Sequence, residues 1–440
     1  MIQRMVTLRD DVAMPSEKFT RPALRPLARR DFRLLLAGSA VVGVLFPLHL
    51  MTQVFWVNRH FSDSAVIYSS ILAASRGTGM VTFSLLGGAF ADRFDRKRVL
   101  MVCETLSLVA HGLIAALMLT RPLGEGSVAL VAVVTFLAAG IQSIDTPARS
   151  ASVPAAAGRE NIAAAIALLA ISSQMSMPLS LPLAGILNQV MEPGAVYAIS
   201  LVAWLAIIPL IMLLRLEGQA PAVARGSTFR SIRDGLAYTR THTAIFAIVS
   251  LVVVVQVIGM PVATPLGPMF FIEVLGFNSA EVGLMGATWG LGAFTATIVL
   301  ARASHLALGG GSLAAVAVLF GIAMIGFGYS RFIPLTAVTD YGMGFAFTGT
   351  SLVASTLIQH LVSDEMRGRV LSFFPLSIGT AQAATAVAGV TGQEVGLDFL
   401  IPALGWLMLT LALLLVWRYR SFLGARVESR VAPLAGRESS

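Results

Sequence analysis

Asp340 lies well inside a long apolar stretch of this sequence. An ionised side chain in such a stretch costs about 2.5 to 3.5 kcal/mol even on a lenient scale of membrane insertion, so its presence calls for a reason. A carboxylate in this position could take up and release a proton. Alternatively, Asp340 could lie in a water-filled mouth near Arg331 as an ordinary acid.

Arg76 and His49 interrupt two other apolar stretches. Arg76 is too far from either end of its stretch for the guanidinium to reach water easily. It could pair with a carboxylate such as Asp340, contact an anionic substrate, or bind backbone carbonyls as a structural residue. His49 could relay protons or pack as a hydrogen-bonded ring, and helical periodicity places it on one face with Gln53 and Trp56.

A charged block extends from Gly87 to Arg98, with the sequence GGAFADRFDRKR. Two acids and four cations cannot lie in hydrocarbon, so the block predicts a short loop at one membrane face. Gly88 would let the preceding helix approach a neighbour closely, and Asp92 could lie at the positive amino end of another helix. Asp95 could cap the next helix. The alternative is a turn whose cations serve only to orient the chain.

Asp145 and Arg149 lie where another apolar stretch ends. An acid and a base at a spacing of four face each other on a helix, and Pro147 between them would bend it. The pair could form a gate or a structural support. Glu104 follows the charged block closely, so we expect it at the membrane interface.

The composition indicates an integral membrane protein. Hydrophobic residues make up 56% of the 440 residues, charged residues only 12%, and the mean hydropathy is +0.81. Soluble domains average about 45 to 50% apolar and about 25% charged residues. Because a membrane span needs about 20 apolar residues, the chain has room for about a dozen spans and for no large soluble domain.

Apolar runs predict twelve spans with short connections. Prolines at 178, 182, 261 and 265 predict bends rather than helix ends, because neighbouring helices can satisfy the freed backbone groups. The predicted spans cover residues 33–57, 65–90, 98–119, 128–147, 161–190, 195–215, 243–274, 280–303, 311–330, 332–360, 368–393 and 398–418.

The positive charges are strongly biased to one side of this topology. If the amino terminus is cytoplasmic, only Arg59, Arg76, Arg121 and Arg331 of the 31 Lys and Arg residues fall outside cytoplasmic loops and tails. This bias predicts a multi-pass protein of the cell (inner) membrane with both termini in the cytoplasm. The net charge of +8 is then spread along one face, where it meets anionic membrane lipids, and we expect no nucleic-acid partner.

Sequence motifs of several enzyme classes are absent. The chain contains no Gly-Lys dipeptide of a phosphate-binding loop, no Cys-x-x-Cys, no His-Glu-x-x-His and no Gly-x-Ser-x-Gly. We therefore expect no enzyme, no metal site and no cofactor. The single Cys103 cannot form an internal disulfide.

Two weak internal similarities suggest two repeats. Residues 64–92 resemble residues 279–305, and residues 154–163 resemble residues 362–371 at a similar offset. The fold prediction is therefore an all-α membrane protein with two six-helix bundles. The predicted division is a cytoplasmic tail at 1–32, a first bundle at 33–216, a central cytoplasmic loop at 217–240, a second bundle at 241–418 and a cytoplasmic tail at 419–440.

With these features the sequence resembles the major facilitator superfamily. It is most similar to the enterobactin-exporter and drug-antiporter-like branch, through residues 91–98, Asp145-Thr146-Pro147-Ala148-Arg149 and residues 366–372. The resemblance implies a secondary transporter that works by alternating access, with proton-coupled export of a small amphiphilic molecule as the leading hypothesis. We expect a monomer. The fifth span lacks the branch's glycine pattern around a Gly-Pro pair, which weakens the case for drug antiport.

The resemblance also implies roles for individual residues. A conformational latch would contact span eleven near Arg367 in the outward-facing state and would comprise Gly88, Asp92, Arg93, Arg96 and Lys97. A cavity would be lined mainly by spans one, four, seven and ten. The candidate coupling and cavity residues are His49, Gln53, Arg76, Gln142, Gln256 and Asp340, and the candidate cytoplasmic gate is Asp145 with Arg149.

Two alternative functions stay open on the sequence. The same fold could import a solute or flip a lipid-like molecule, because a fold does not determine substrate or direction. A membrane scaffold or sensor that no longer transports is the third hypothesis. A substrate-sized polar cavity would favour transport, and a cavity filled by side chains would favour the scaffold.

Overall fold

The computed structural model of the protein describes residues 22–93, 95–216, 228–302, 309–371 and 373–424, and this part is almost entirely helical. Long helical segments lie at all twelve predicted span positions. The helices are α1 Arg30–His60, α2 Ala65–Arg93, α3 Arg96–Thr120, α4 Gly126–Ala157, α5 Ile162–Val190, α6 Pro193–Met212, α7 Thr228–Thr241, α8 Thr243–Pro261, α9 Gly267–Glu273, α10 Ser279–Arg302, α11 Gly310–Tyr329, α12 Ile333–Leu361, α13 Asp364–Leu371, α14 Phe373–Val395 and α15 Leu397–Arg418.

Nine helical segments in the described ranges are long and apolar enough to cross a membrane. The other three predicted spans correspond to α2, α12 and α14, which are 29, 29 and 23 residues long. These helices are rich in Gly, Ser, Ala and Thr, which lower the hydropathy and allow close packing of helices inside a membrane bundle. The composition of α2, α12 and α14 thus explains why these helices are less hydropathic than the other nine segments.

The predicted proline bends do not end their helices. Helix α5 is continuous through Pro178 and Pro182. Helices α8 and α9 are joined by a π-helical turn at Val262–Leu266, which contains Pro265. A proline removes one backbone donor, and a wider turn is one way in which a buried helix accommodates that loss.

The turn into α3 agrees with the predicted cap. The Asp95 carboxylate accepts a hydrogen bond from the Arg98 backbone N–H at 3.0 Å. This contact satisfies one of the amide groups that have no partner at a helix start. The prediction that Asp95 caps the third helix is confirmed.

Three segment boundaries differ from the prediction. Helix α4 continues to Ala157, beyond the predicted end of the fourth span at residue 147. Part of the predicted loop 217–240 is the amphipathic helix α7, and residues 217–227 lie outside the described part. The predicted span 368–393 begins with the short helix α13, which an ion pair joins to α7, with 3.1 Å between Arg369 Nη1 and Asp234 Oδ2.

The first six spans contact the last six mainly along two flanks, where α2 packs on α14 and α5 packs on α10. The bundle end that carries the α1–α2, α5–α6, α9–α10 and α14–α15 connections is called the distal end below. Near this end, a Cβ atom at Gly185 would lie only 2.8 Å from the Cα atom of Gly283. On the other flank, Gln393 Nε2 donates to the Asp63 carbonyl at 2.9 Å. Close backbone contact therefore joins the two groups of helices near the distal end.

Candidate functional site

A cavity of about 270 Å³ lies between the two groups of six spans. Its wall combines methionine and aromatic side chains with a few polar groups, which is typical of sites for small organic ligands. The polar groups come from Gln174, Thr264, Asp340, Thr348 and Gln382. We call this space the central cavity.

A Gly185→Ala variant is expected to open the central cavity toward the distal end, because the added methyl group cannot fit against α10. The measurement is maleimide labelling of Met177→Cys, a cavity position, in a Cys103→Ala background. Labelling from the distal face should rise about tenfold, since overpacking costs about 1 to 3 kcal/mol. Gly112→Ala is the matched control, because its Cβ would lie 3.9 Å from the nearest atom, Leu201 Cδ1. Equal labelling of the two glycine variants would contradict the expectation.

Asp340 is buried in α12 and lines the central cavity. Its carboxylate accepts a hydrogen bond from the Thr288 hydroxyl of α10. Arg331, the neighbour considered from the sequence, instead donates to the carbonyls of Gly328 and Ser330. The geometry therefore favours an acid that faces the cavity over an ordinary acid beside Arg331.

Arg76 lies in a buried polar network within the first six spans. Its Nη2 donates to Gln53 Oε1 at 2.9 Å, and Gln53 Nε2 donates to Thr135 Oγ1 at 3.0 Å. The guanidinium carbon lies 5.1 Å from the centre of the Phe46 ring. A second cavity of about 60 Å³, called the side pocket below, is lined by Phe46, Gln53, Arg76, Met80, His111, Ile114, Thr135, Ala138, Ala139, Gln142 and Tyr197.

His49 belongs to a buried stack of rings. Its centre lies 4.1 Å from that of Tyr197 and 4.7 Å from that of His111, and His111 lies 4.8 Å from Trp204. His49 Nε2 and Ser200 Oγ are 2.6 Å apart. These contacts favour the packing role for His49 over the proton relay.

A charged cluster joins α3 to α4. Arg149 Nε donates to Asp145 Oδ2 at 2.9 Å, and Arg149 Nη2 donates to Glu104 Oε1. The Glu104 side chain is only 2% exposed because it is buried against α4, and its position near the membrane interface stays a prediction. Pairing with Arg149 allows this acid to be buried. The sequence predicted the contact between Asp145 and Arg149, and the structure adds Glu104 as a third member of the cluster.

The charged block divides into a described and an undescribed part. Arg96 Nη1 donates to the Ala151 carbonyl at 2.6 Å, and Lys97 Nζ donates to the Met212 and Leu214 carbonyls, each at 2.7 Å. In this structure these two cations therefore bind α4 and the end of α6, within their own group of spans. Gly88, Asp92 and Arg93, the remaining predicted latch residues, lie in α2. Their contacts are outside the described part of the structure.

Gln256 and Trp56 are placed apart from both cavities. Gln256 Nε2 donates to Ser351 Oγ at 3.3 Å, and Trp56 Nε1 donates to the Met118 carbonyl at 3.1 Å. Gln256 is thus not among the residues that line the central cavity with Asp340, although the sequence placed both in one cavity. Gln53, Arg76 and Gln142, by contrast, meet in the side pocket.

Comparison with known proteins decides the family. The model of the transmembrane secretion effector family matches residues 21–431. The chain belongs to this family of the major facilitator superfamily. The predicted fold class and superfamily are confirmed.

Two relatives of this chain are named for export. The multidrug efflux pump Tap of Mycolicibacterium fortuitum is 23% identical over 395 residues, which cover 87% of this chain and 92% of Tap. The enterobactin exporter EntS of Shigella boydii is 24% identical over 397 residues, which cover 89% of this chain and 88% of EntS. The predicted resemblance to this branch is confirmed.

Solved structures support the fold. A D-xylose–proton symporter superposes with a TM-score of 0.69 at 15% identity, covering 89% of this chain and 97% of the symporter. A peptide transporter in complex with sulfate has a TM-score of 0.69 at 13% identity, covering 90% of this chain and 96% of the transporter. These superpositions therefore support the major facilitator fold of the chain.

Proposed function

We propose that the protein exports a small amphiphilic molecule and that proton movement drives the export. The observation that carries the proposal is the buried Asp340 carboxylate on the wall of the central cavity. A carboxylate that exchanges protons from a cavity between two moving groups of helices can couple a proton gradient to the passage of a solute. The mainly apolar lining suits an amphiphilic solute, and the relatives Tap and EntS are named as exporters.

Alternating access would be a rocking of the two six-helix groups around the central cavity. The charge bias supports a position in the inner membrane with both termini in the cytoplasm, and we propose that the protein works as a monomer. The distal end would then face the outside, and the contacts of Gly185 and Gln393 would belong to a state closed to the outside. A scaffold that no longer transports has no need of a cavity of about 270 Å³, so this alternative is less well supported.

The test of this function uses purified protein in liposomes. N-phenylnaphthylamine, a neutral amphiphile whose fluorescence rises in apolar surroundings, is the probe. We expect an imposed proton gradient to drive the probe across the membrane and a protonophore to stop the movement. Probe movement that is the same with and without the gradient, or the same in liposomes without protein, would contradict the proposal.

The latch stays a prediction for Asp92. An Asp92→Asn variant is expected to slow turnover several-fold without changing substrate preference, because the loss of a charge at a helix end alters the balance between conformations. The measurement compares transport rates for two chemically different probes. A change in the ratio of the two rates would instead assign Asp92 to substrate recognition.

A further inference from the structure

Arg76 is a buried cation without an acidic partner. The residue is only 7% exposed, and no described carboxylate forms an ion pair with it. Its Nη2 donates to Gln53, whereas its Nε has no hydrogen-bond partner within the described part of the chain. Asp340, the acid considered from the sequence, is bonded to Thr288. The guanidinium therefore keeps donor capacity that the protein does not use.

Such an arrangement is costly unless something else supplies the negative charge. Burial of a charge without a counter-charge is strongly unfavourable, and buried charges in proteins are paired as a rule. By comparison, Arg149 lies between the two carboxylates of Glu104 and Asp145. Arg149 thus has two acidic partners, whereas Arg76 has none among the described residues.

The polar groups around Arg76 face a space that can hold a small anion. The side pocket has a volume of about 60 Å³, which is sufficient for a small charged group and too small for a whole amphiphile. Thr135, Gln142 and Tyr197 supply further hydrogen-bonding groups in its wall. Gln53 bonds both Arg76 and Thr135, so it fixes the guanidinium in place.

The side pocket and the central cavity are adjacent. Phe46 lines both, and a smaller gap beside Arg76 shares Leu50 and Thr264 with the central cavity. The central cavity offers apolar surface from Met177, Met260 and other side chains. The two spaces together match a molecule with one charged end and one apolar body.

We propose that Arg76 binds the anionic group of the transported molecule, a carboxylate or a group of similar chemistry, while the apolar body lies in the central cavity. The inference rests on the proposed function and specifies its substrate class as anionic amphiphiles. Asp340, on the other wall of the central cavity, would disfavour a second negative group at the apolar end. Phe46 would have to move aside when the charged end enters the side pocket.

Two dyes with one skeleton test this inference. Anilinonaphthalene sulfonate carries a negative group, and N-phenylnaphthylamine has the same rings without it. Saturable binding of each dye is measured by fluorescence with protein in lipid nanodiscs, against nanodiscs without protein. We expect the wild-type protein to bind the sulfonate about tenfold more tightly than the neutral dye, as one charge-assisted hydrogen bond would give.

Three variants resolve the contribution of Arg76. Arg76→Met should remove the preference for the sulfonate, and saturable binding of the neutral dye reports whether the variant is folded. Arg76→Lys should keep part of the preference, because it retains the charge without the planar donor pair. Arg331→Gln is the control and should keep the preference, since this arginine binds carbonyls near the distal end.

The possible outcomes separate this inference from the proposed function. Equal binding of the two dyes by the wild-type protein, or a sulfonate preference that survives Arg76→Met, would overturn the inference even if proton-driven transport of the neutral dye is observed. Loss of the preference in excess chloride would assign the side pocket to an inorganic anion and would also overturn it. An Arg76-dependent preference without proton-driven movement of either dye would support the inference and contradict the proposed export.

Discussion

An Asp340→Asn variant is expected to lose proton-coupled transport completely while the protein stays folded in the membrane. The amide has nearly the shape of the carboxylate, and its oxygen can still accept the hydrogen bond from Thr288. An amide cannot take up and release a proton in the way that a carboxylate does. In everted vesicles, addition of a transported amphiphile should therefore release the proton gradient with the wild-type protein and not with the variant.

Glu125→Gln is a suitable control for this experiment. Glu125 is an exposed acid at the start of α4, away from the central cavity, so its neutralisation should leave proton flux unchanged. The binding of N-phenylnaphthylamine to Asp340→Asn reports whether the cavity is intact. A proton flux in Asp340→Asn equal to that of the wild-type protein would rule out Asp340 as the coupling residue.

An Arg149→Met variant is expected to lose most of its stability. The substitution would leave the buried carboxylates of Glu104 and Asp145 without their common partner. Removal of one partner from a buried ion pair costs about 3 to 5 kcal/mol, because the remaining charge has no compensation. The thermal unfolding midpoint of the protein in detergent, together with its yield from the membrane, measures this loss.

Two further variants distinguish charge from packing in the α3–α4 cluster. Arg159→Met removes an exposed arginine near the same bundle end and should change the unfolding midpoint little. The triple variant Glu104→Gln, Asp145→Asn, Arg149→Met replaces all three charges and should recover much of the stability lost by Arg149→Met. If the triple variant is as unstable as Arg149→Met, the loss arises from packing rather than from uncompensated charge.

The sequence predicted the helices well because the membrane imposes a simple rule. A span requires a long run of apolar residues, and such runs identify the helix positions even through Pro178 and Pro182. The cap at Asp95 was also predictable, since it depends on residues only three positions apart. Fold class and superfamily follow from such local signals, which a single sequence contains.

The partners of the buried polar residues could not be predicted in the same way. Whether Arg76 meets Asp340, Gln53 or a carbonyl depends on the rotation of α2 against its neighbours, and helices in a membrane lack a clear polar face that would report this rotation. The proximity of Glu104 to Lys97 in sequence predicted only a position near the interface, whereas the packing of α4 brings Arg149 to it as a partner. Tyr197 belongs to no recognisable sequence motif, yet its ring stacks on His49.

Lys97 shows that a family motif leaves the contacts of its side chains open. The charged block identified the superfamily, and in this structure Lys97 binds the carbonyls of Met212 and Leu214 at the end of α6, in its own half of the chain. Carbonyls at a helix end carry partial negative charge and favour a cation. A family motif therefore identifies a fold more directly than it identifies the contact that each of its side chains makes.

The π-helical turn at Val262–Leu266 has a mechanical consequence for the span that contains it. It lies in the wall of the central cavity and separates α8, which packs against α14, from the short helix α9 near the distal end. A wide turn with an interrupted hydrogen-bond ladder bends more easily than a regular helix. We expect the π-helical turn to act as a flexible joint, so that α9 can move outward at the distal end while α8 stays packed against its neighbours.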